Sequence, residues 1–417
     1  MYHFADIQLR IVRAISRKKD HKKLLKNTRL IVLEHILPTT KEFLKILMEA
    51  GAEIFALIAK PYSIDNIVYN KLKKDGLNII KIKSYQELED SDICFKLLYD
   101  ANEKSKKDRK PIAIIDVGGY FALPLLRFQE EIKKTKTDNY IKGIIEDTTF
   151  GHNRYKNLVE KNKITIPIGS VARSELKRIE ARFVGRDAVQ AMDKMLREYG
   201  ISITGRNALV IGYGMIGKNV ARTLRSYDLN VYVYDIEDRK LLRAFIDGFH
   251  IHKKVILLRH ADIIFSATGT EAANLKDDGK PKFPHALTYE EIEDCKHGVI
   301  LASVGSKDTE FDVVSIKQNA IKKPEKLNIN DSNYSLTRYS LPNSKHVIVA
   351  QEGTAVNFIL PSLPVEILDL VFSEILYNLL ELLQDRLEPG VVNETELEPL
   401  NNISKAWLRL VNMEAQA

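Results

Sequence analysis

Three glycines and one aspartate carry the most specific chemistry in this sequence. Gly212, Gly214 and Gly217 follow the apolar run Ala208–Ile211 as GYGMIG, and Asp235 closes the next apolar run, Val231–Val233. A pyrophosphate needs backbone N–H groups that it can approach closely. Gly212 permits the sharp turn, Gly214 lets the backbone come close to the phosphates, and Gly217 lets the following helix pack tightly on the strand. Met215 and Ile216 stand at the helix tip, where unpaired N–H groups and the positive dipole end face an anion. A carboxylate at the second strand end accepts the ribose hydroxyls of NAD and repels the extra phosphate of NADP, which is the place of Asp235. A glycine triplet alone is weak. Flanked by a strand, a helix and that acid, it specifies a dinucleotide site.

Other reactive residues also sit where apolar runs stop. Glu34-His35 follows Leu30–Leu33, Asp116 follows Ile112–Ile115, and Glu146-Asp147-Thr148-Thr149 follows Gly143–Ile145. Ligands of parallel sheets lie beyond the carboxyl ends of strands, so His35, Asp116 and Asp147 are in site positions. Asp116 is equally suited to capping the turn before Gly118-Gly119. Ile263–Phe265 leads into Thr268-Gly269, and Val299–Ala302 into Ser303-Val-Gly305-Ser306. Both are turns expected to line a dinucleotide cleft.

These groups need a framework of alternating strands and helices. Runs at Leu30–Leu33, Ile54–Ile58, Asn78–Ile82, Ile112–Ile115 and Gly143–Ile145 alternate with helical stretches, which implies a parallel sheet before the glycine motif is reached. At 417 residues the chain exceeds one ordinary core. The fold class is therefore α/β, with two doubly wound parallel-sheet domains, the second a Rossmann dinucleotide-binding domain. The expected division is a substrate-type domain over 1–184 completed by a helix within 351–384, a cofactor domain over 185–350, and a tail over 385–417. Leu176–Arg197 reads as the connecting helix, with a boundary and hinge near Val184–Ala188. Val347–Ala350 reads as the last strand, residues 1–27 as one amphipathic helix, and the tail as little more than a short helix around Ile403–Val411.

Composition narrows the alternatives. The net charge of +7 is spread over 63 basic and 56 acidic residues, and only Arg17–Lys26 is densely basic. That stretch reads as a solvated helix face rather than a nucleic-acid contact. Two cysteines form no disulfide framework and no metal-ligand spacing, which suits a reducing cytoplasm. The apolar stretch between Pro364 and Gln384 is interrupted by Glu366, Asp369 and Glu374, so a buried or subunit-interface helix fits better than a membrane anchor.

The blocks FADIQL, LEH at 33–35, IIDVGG at 114–119, GIIEDTTFG at 143–151, the 205–235 unit, SATG at 266–269 and SVGSKDTEFDV at 303–313 come in a characteristic order and spacing. In these the chain resembles the S-adenosylhomocysteine hydrolase (adenosylhomocysteinase) family over nearly its whole length. The resemblance implies tightly bound NAD and a reaction without net redox change. The substrate's 3′-hydroxyl becomes a ketone, the 4′ C–H is removed as a proton, the thiol is eliminated, water adds and the ketone is reduced. It also implies a small-molecule substrate and a dimer or tetramer.

Carried over by position, the resemblance makes His35 the leaving-group acid or base, Lys177 the handler of the 3′-hydroxyl proton, and Asp147 the carboxylate on the ribose diol. Asp116 falls on the first acid of the family's DDGGD block. Thr148, Thr149, Thr268, Gly269 and Ser306 fall on cofactor-side positions, and Asn357 on that of a gate histidine. The departures are specific. Val117 and Tyr120 replace acids, Ala181 and Arg182 replace an Asp-Asn pair, and Ser306 replaces a histidine. Glu180 is one position from the missing Asp, and the family's Lys- and Tyr-containing C-terminal tail is not recognisable. Arg182, if it points inward, favours an anionic substrate group.

A catalytic lysine needs a lowered pKa, through burial or a second cation. NAD binding relies on backbone groups and one carboxylate, all present, whereas elimination relies on acids and bases each worth ~10²–10⁴-fold. The expectation is a working cofactor site with slow or absent parental hydrolysis. Two readings stand: a divergent NAD-dependent enzyme on a nucleoside-like or other hydroxyl-bearing substrate, or a non-catalytic NAD-binding regulatory or assembly subunit.

Overall fold

The computed structural model of the protein describes residues 8–90, 92–161, 163–269, 285–305, 309–327, 335–360 and 363–412. They form two compact units. One comprises residues up to 180 together with 363–412, the other 181–269 with 285–360. The sequence placed the changeovers near 184 and 350. Helix Glu175–Glu198 runs unbroken through 184–188. Gly185 there serves close packing, because a Cβ would come within 2.8 Å of the Val220 nitrogen.

The first unit is built on a seven-stranded, wholly parallel sheet. Its strands are β1 (Arg29–Ile36), β2 (Glu53–Ile64), β3 (Ile79–Lys81), β4 (Ile112–Asp116), β5 (Ile141–Glu146), β6 (Ile168–Ser170) and a C-terminal strand, Val392–Glu394. The spatial order is C-terminal strand, β6, β5, β4, β1, β2, β3. Leu30 and Val32 of β1 enter one core layer while Ile31 and Leu33 enter the other. Strands buried on both faces read as the continuous apolar runs seen in the sequence.

Helix Val365–Leu383 belongs to the first of these layers, where Phe372 stacks on Phe43 at 4.5 Å. Two of the acids that interrupt it have internal partners. Asp369 accepts hydrogen bonds from the Ile11 and Val12 amides at 2.9 and 3.1 Å, and Glu374 accepts from the Ser174 and Thr395 hydroxyls at 2.7 and 2.6 Å. The helix is therefore buried within its own unit.

Two local expectations are corrected here. The N-terminal region forms two helices, Arg10–Ser16 and Lys19–Lys26, separated where Lys18 is extended. The break lets Val12 and Leu25 both reach the core, which one straight helix would not do. The tail supplies the strand Val392–Glu394 beside β6 and the helix Leu397–Asn412. A three-residue strand at a sheet edge leaves almost no periodic signal.

The second unit holds an eight-stranded sheet: β7 (Asn207–Ile211), β8 (Asn230–Tyr234), β9 (His250–Ile251), β10 (Ile263–Ser266), β11 (Val299–Ser303), β12 (Glu325–Leu327), β13 (Leu336–Leu341) and β14 (Lys345–Ala350). The order is β12-β13-β14-β11-β10-β7-β8-β9. From β14 to β9 every pairing is parallel, and the strand order reverses between β7 and β10 at the glycine motif. β13 and β12 extend the sheet antiparallel, an edge the sequence reading missed. Among the described residues no helix is long and apolar enough to cross a membrane.

Candidate functional site

The first unit gathers its reactive groups at one end of the sheet. β5, β4, β1 and β2 are consecutive neighbours, and their register sets Asp116 opposite Glu146 and Glu34 opposite Ala59. The carboxyl ends of the four strands therefore bring Glu34-His35, Lys60, Asp116 and Glu146-Asp147 together. Helix Glu175–Glu198 adds Lys177 and Glu180 from its first turns.

Lys177 meets Asp147, a contact the sequence reading did not foresee. Its Nζ lies 2.9 and 2.8 Å from the two Asp147 carboxylate oxygens and 2.7 Å from Glu180. Glu180, one position from the family's acid, reaches Lys177 because positions three apart share a helix face. The lowered pKa that a catalytic lysine would need is not what this neighbourhood favours. Burial lowers it, but the attraction of Asp147 and Glu180 outweighs burial and holds the ammonium well above the ordinary lysine range. Lys177 is a fixed cation.

His35 is half-buried and its Nδ1 lies 2.5 Å from the Ser63 hydroxyl. Burial, then Lys60 and Lys177, push it well below the ordinary imidazole range, so it is uncharged at neutral pH. Beside it, the buried Glu34 is raised to about 8, first by burial and then by Asp147, against the His35 amide, Lys60 and Lys177. Lys60 is wholly buried and lowered, chiefly by burial. The lysine with a depressed pKa is therefore Lys60. Sequence reasoning placed Glu34 at a strand end but gave the role to His35, and it missed Lys60. Glu34 and Lys60 are each the charged residue at the end of an otherwise apolar run, VLEH and ALIAK, and that signal was available.

Asp116 acts as a turn anchor, accepting from the Phe121 amide at 3.0 Å and the Tyr155 hydroxyl at 2.6 Å. Glu146 accepts from the amides of Gly118, Gly119 and Thr148 at 3.1, 2.9 and 2.7 Å and from the Thr148 hydroxyl at 2.6 Å. It ties the β4 turn to the β5 turn. Thr148 also caps the helix that starts at Thr149, accepting from the Gly151 amide at 3.1 Å. Val117 lies in the core, 1% exposed, and offers no proton-transfer group.

The second unit holds the dinucleotide site. Gly212 adopts φ +93°, and a Cβ on Gly217 would stand 1.8 Å from the Gly212 carbonyl oxygen, so only glycine allows helix Met215–Ser226 to start so close to the turn. Around Gly214 the space a Cβ would fill is open within 4 Å, leaving the helix tip with Met215 and Ile216 approachable by a phosphate. Asp235 accepts from the Tyr213 amide at 2.7 Å and the Glu237 amide at 2.9 Å, which fixes its carboxylate at the end of β8. These features fit NAD.

Thr268 is held by Glu310, a buried carboxylate the sequence reading did not single out. The Thr268 amide and hydroxyl donate to it at 3.0 and 2.9 Å, and the Ser266 hydroxyl at 2.5 Å. Burial raises Glu310 to about 7 against these donors. Gly269 follows, exposed, in the same loop. Arg182 belongs to the second unit and is exposed, and Asn357 is half-buried in the short 3-10 helix Val356–Ile359. Ser306 lies outside the described residues.

Comparison with known proteins agrees with this geometry. Residues 183–361 match the family described as S-adenosyl-L-homocysteine hydrolase, NAD binding domain. An adenosylhomocysteinase of Thermotoga maritima is 26% identical, over 81% of this chain and 76% of its own length. One from Thermoplasma volcanium is 27% identical, over 87% and 81%. An S-inosyl-L-homocysteine hydrolase of Methanopyrus kandleri is 25% identical, over 94% and 85%.

Proposed function

The chain belongs to the S-adenosylhomocysteine hydrolase family, and from that premise we propose that it is a divergent NAD-dependent enzyme acting on a nucleoside-like, hydroxyl-bearing substrate. The observation that carries the reading is the Lys177 ammonium held between Asp147 and Glu180 at the end of β5. Bound NAD⁺ supplies a hydride acceptor. Asp147 and Glu180 offer acceptors to substrate hydroxyls. Lys177, which cannot serve as a base, stabilises negative charge that develops on a hydroxyl oxygen. Glu34, at about 8, is largely protonated at neutral pH yet able to exchange its proton, and is suited to general acid–base work. The uncharged His35 complements it as a proton acceptor. Parental hydrolysis is expected to be slow, because Val117 and Ala181 supply no carboxylate.

The second reading, a non-catalytic NAD-binding regulatory or assembly subunit, draws on the buried Val117 and Ala181. One experiment separates the two. Protein loaded with NAD is incubated with S-adenosylhomocysteine, adenosine and inosine while NADH absorbance and thiol release are followed. Absorbance that rises with at least one of them and is lost in Lys177→Ala supports the enzyme. No change with any of them, despite bound NAD, favours the regulator.

A further inference from the structure

Lys60 has no exposed surface, and its Nζ makes no hydrogen bond. The Tyr85 ring centroid lies 6.0 Å away, at the outer limit of cation–π attraction. Glu34, Glu146, Asp147 and Asp116 all attract the ammonium, and none bonds to it. Each of these acids is bonded to another group through at least one oxygen, while Asp116 Oδ1, like Lys60 Nζ, is buried without a hydrogen bond. Asp116 serves Phe121 and Tyr155, Glu146 serves Gly118, Gly119 and Thr148, Asp147 serves Lys177, and Glu34 accepts from the His35 amide at 2.7 Å. A buried ammonium with its donors unused is costly, and such a group calls for a partner from outside the chain.

The chemistry of that partner follows from the surroundings. An anion would suit Lys60 but lie against Glu34 and Asp147. A cation would face both Lys60 and Lys177. A hydroxyl accepts from an ammonium and donates to a carboxylate through one oxygen. We infer that Lys60 is a substrate-contacting residue whose Nζ donates to a hydroxyl oxygen of a neutral, polyhydroxylated ligand at the ends of β1, β2 and β5. The inference rests on the functional reading above and adds a contact that the matched family blocks do not include.

The test compares Lys60→Met and Lys60→Gln with the wild type, all as full-length, NAD-loaded protein. Without substrate, Lys60→Met is expected to melt higher than the wild type, because it removes an unsatisfied buried charge at similar volume. A lower melting temperature would overturn the inference, since it means that Nζ has a structural partner. With adenosine or inosine, measured by calorimetry, Lys60→Met is expected to bind roughly tenfold to a hundredfold more weakly, the worth of one hydrogen bond to a charged group. Lys60→Gln, which keeps a donor, should lose less. Binding within twofold of wild type in Lys60→Met would overturn the contact. A wild type that binds neither nucleoside sinks the functional reading and the ligand class, while the substrate-free comparison still decides whether Nζ is unsatisfied.

Discussion

Replacing Lys177 with methionine should destabilise the first unit, and more so as pH rises. Lys177, Asp147 and Glu180 are only 13%, 14% and 13% exposed, so water compensates little when the ammonium is removed. Methionine keeps the volume of the stem, so the electrostatic cost dominates over any cavity. Taking one partner out of a buried ion pair costs about 3–5 kcal/mol, and slight exposure places this case near the lower end, about 3 kcal/mol. At roughly 2–4 °C per kcal/mol for a unit of this size, the melting temperature should fall by about 6–12 °C. Glu180, already raised by burial, would lose the lysine that counters that rise and take up a proton, so the variant's folded state binds protons more tightly than its unfolded state. Such a contribution is kept at low pH and lost as pH rises through the raised folded value. The gap from wild type should therefore be smaller near about pH 5 than near about pH 8, followed by circular dichroism. A variant that melts within a degree of wild type at the higher pH, or a gap that is larger at the lower one, would refute the reasoning.

Gly217→Ala should abolish NAD retention, because the added methyl would sit 1.8 Å from the Gly212 carbonyl oxygen, and the nicotinamide content of purified protein reads this directly. Asp235→Ala removes a charged acceptor from the ribose position and should weaken NAD binding by roughly tenfold to a hundredfold in calorimetry. Asp369→Ala leaves the Ile11 and Val12 amides without their acceptor and should cost about 1–2 kcal/mol in urea unfolding, with Asp369→Asn milder. Glu310, raised to about 7 when folded, stabilises the second unit fully below the ordinary glutamate range, and that contribution is lost as pH rises through about 7. Glu310→Gln should flatten the dependence of melting temperature on pH across that window, and an unchanged slope would count against the assignment.

Much of the cofactor unit was legible because its signal is local. Gly212, Gly214 and Gly217 are separated by one turn and one helix start, and the strand after that helix must end at Asp235. The alternating apolar runs of the first sheet were equally readable, since strands covered on both faces leave uninterrupted stretches of Ile, Leu and Val. Short edge strands such as Val392–Glu394 were not, because their place depends on pairing with β6 more than two hundred residues earlier.

The candidate reactive groups divide along the same line. Sequence alone located a glycine turn at a helix start, an aspartate at the end of the next strand, and His35, Asp147 and Lys177 at the ends of their elements. It could not say which lysine has its charge reinforced by its surroundings and which has it opposed. That depends on how many carboxylates fold around each one and how much water is left, and both are set by contacts between distant segments. Lys177 lies between Asp147 and Glu180 and remains a cation, while Lys60 lies in an interior whose acids are already bonded to other groups. Only the tertiary structure decides this, because desolvation and charge pairing belong to the three-dimensional neighbourhood of a residue and not to its place in the chain.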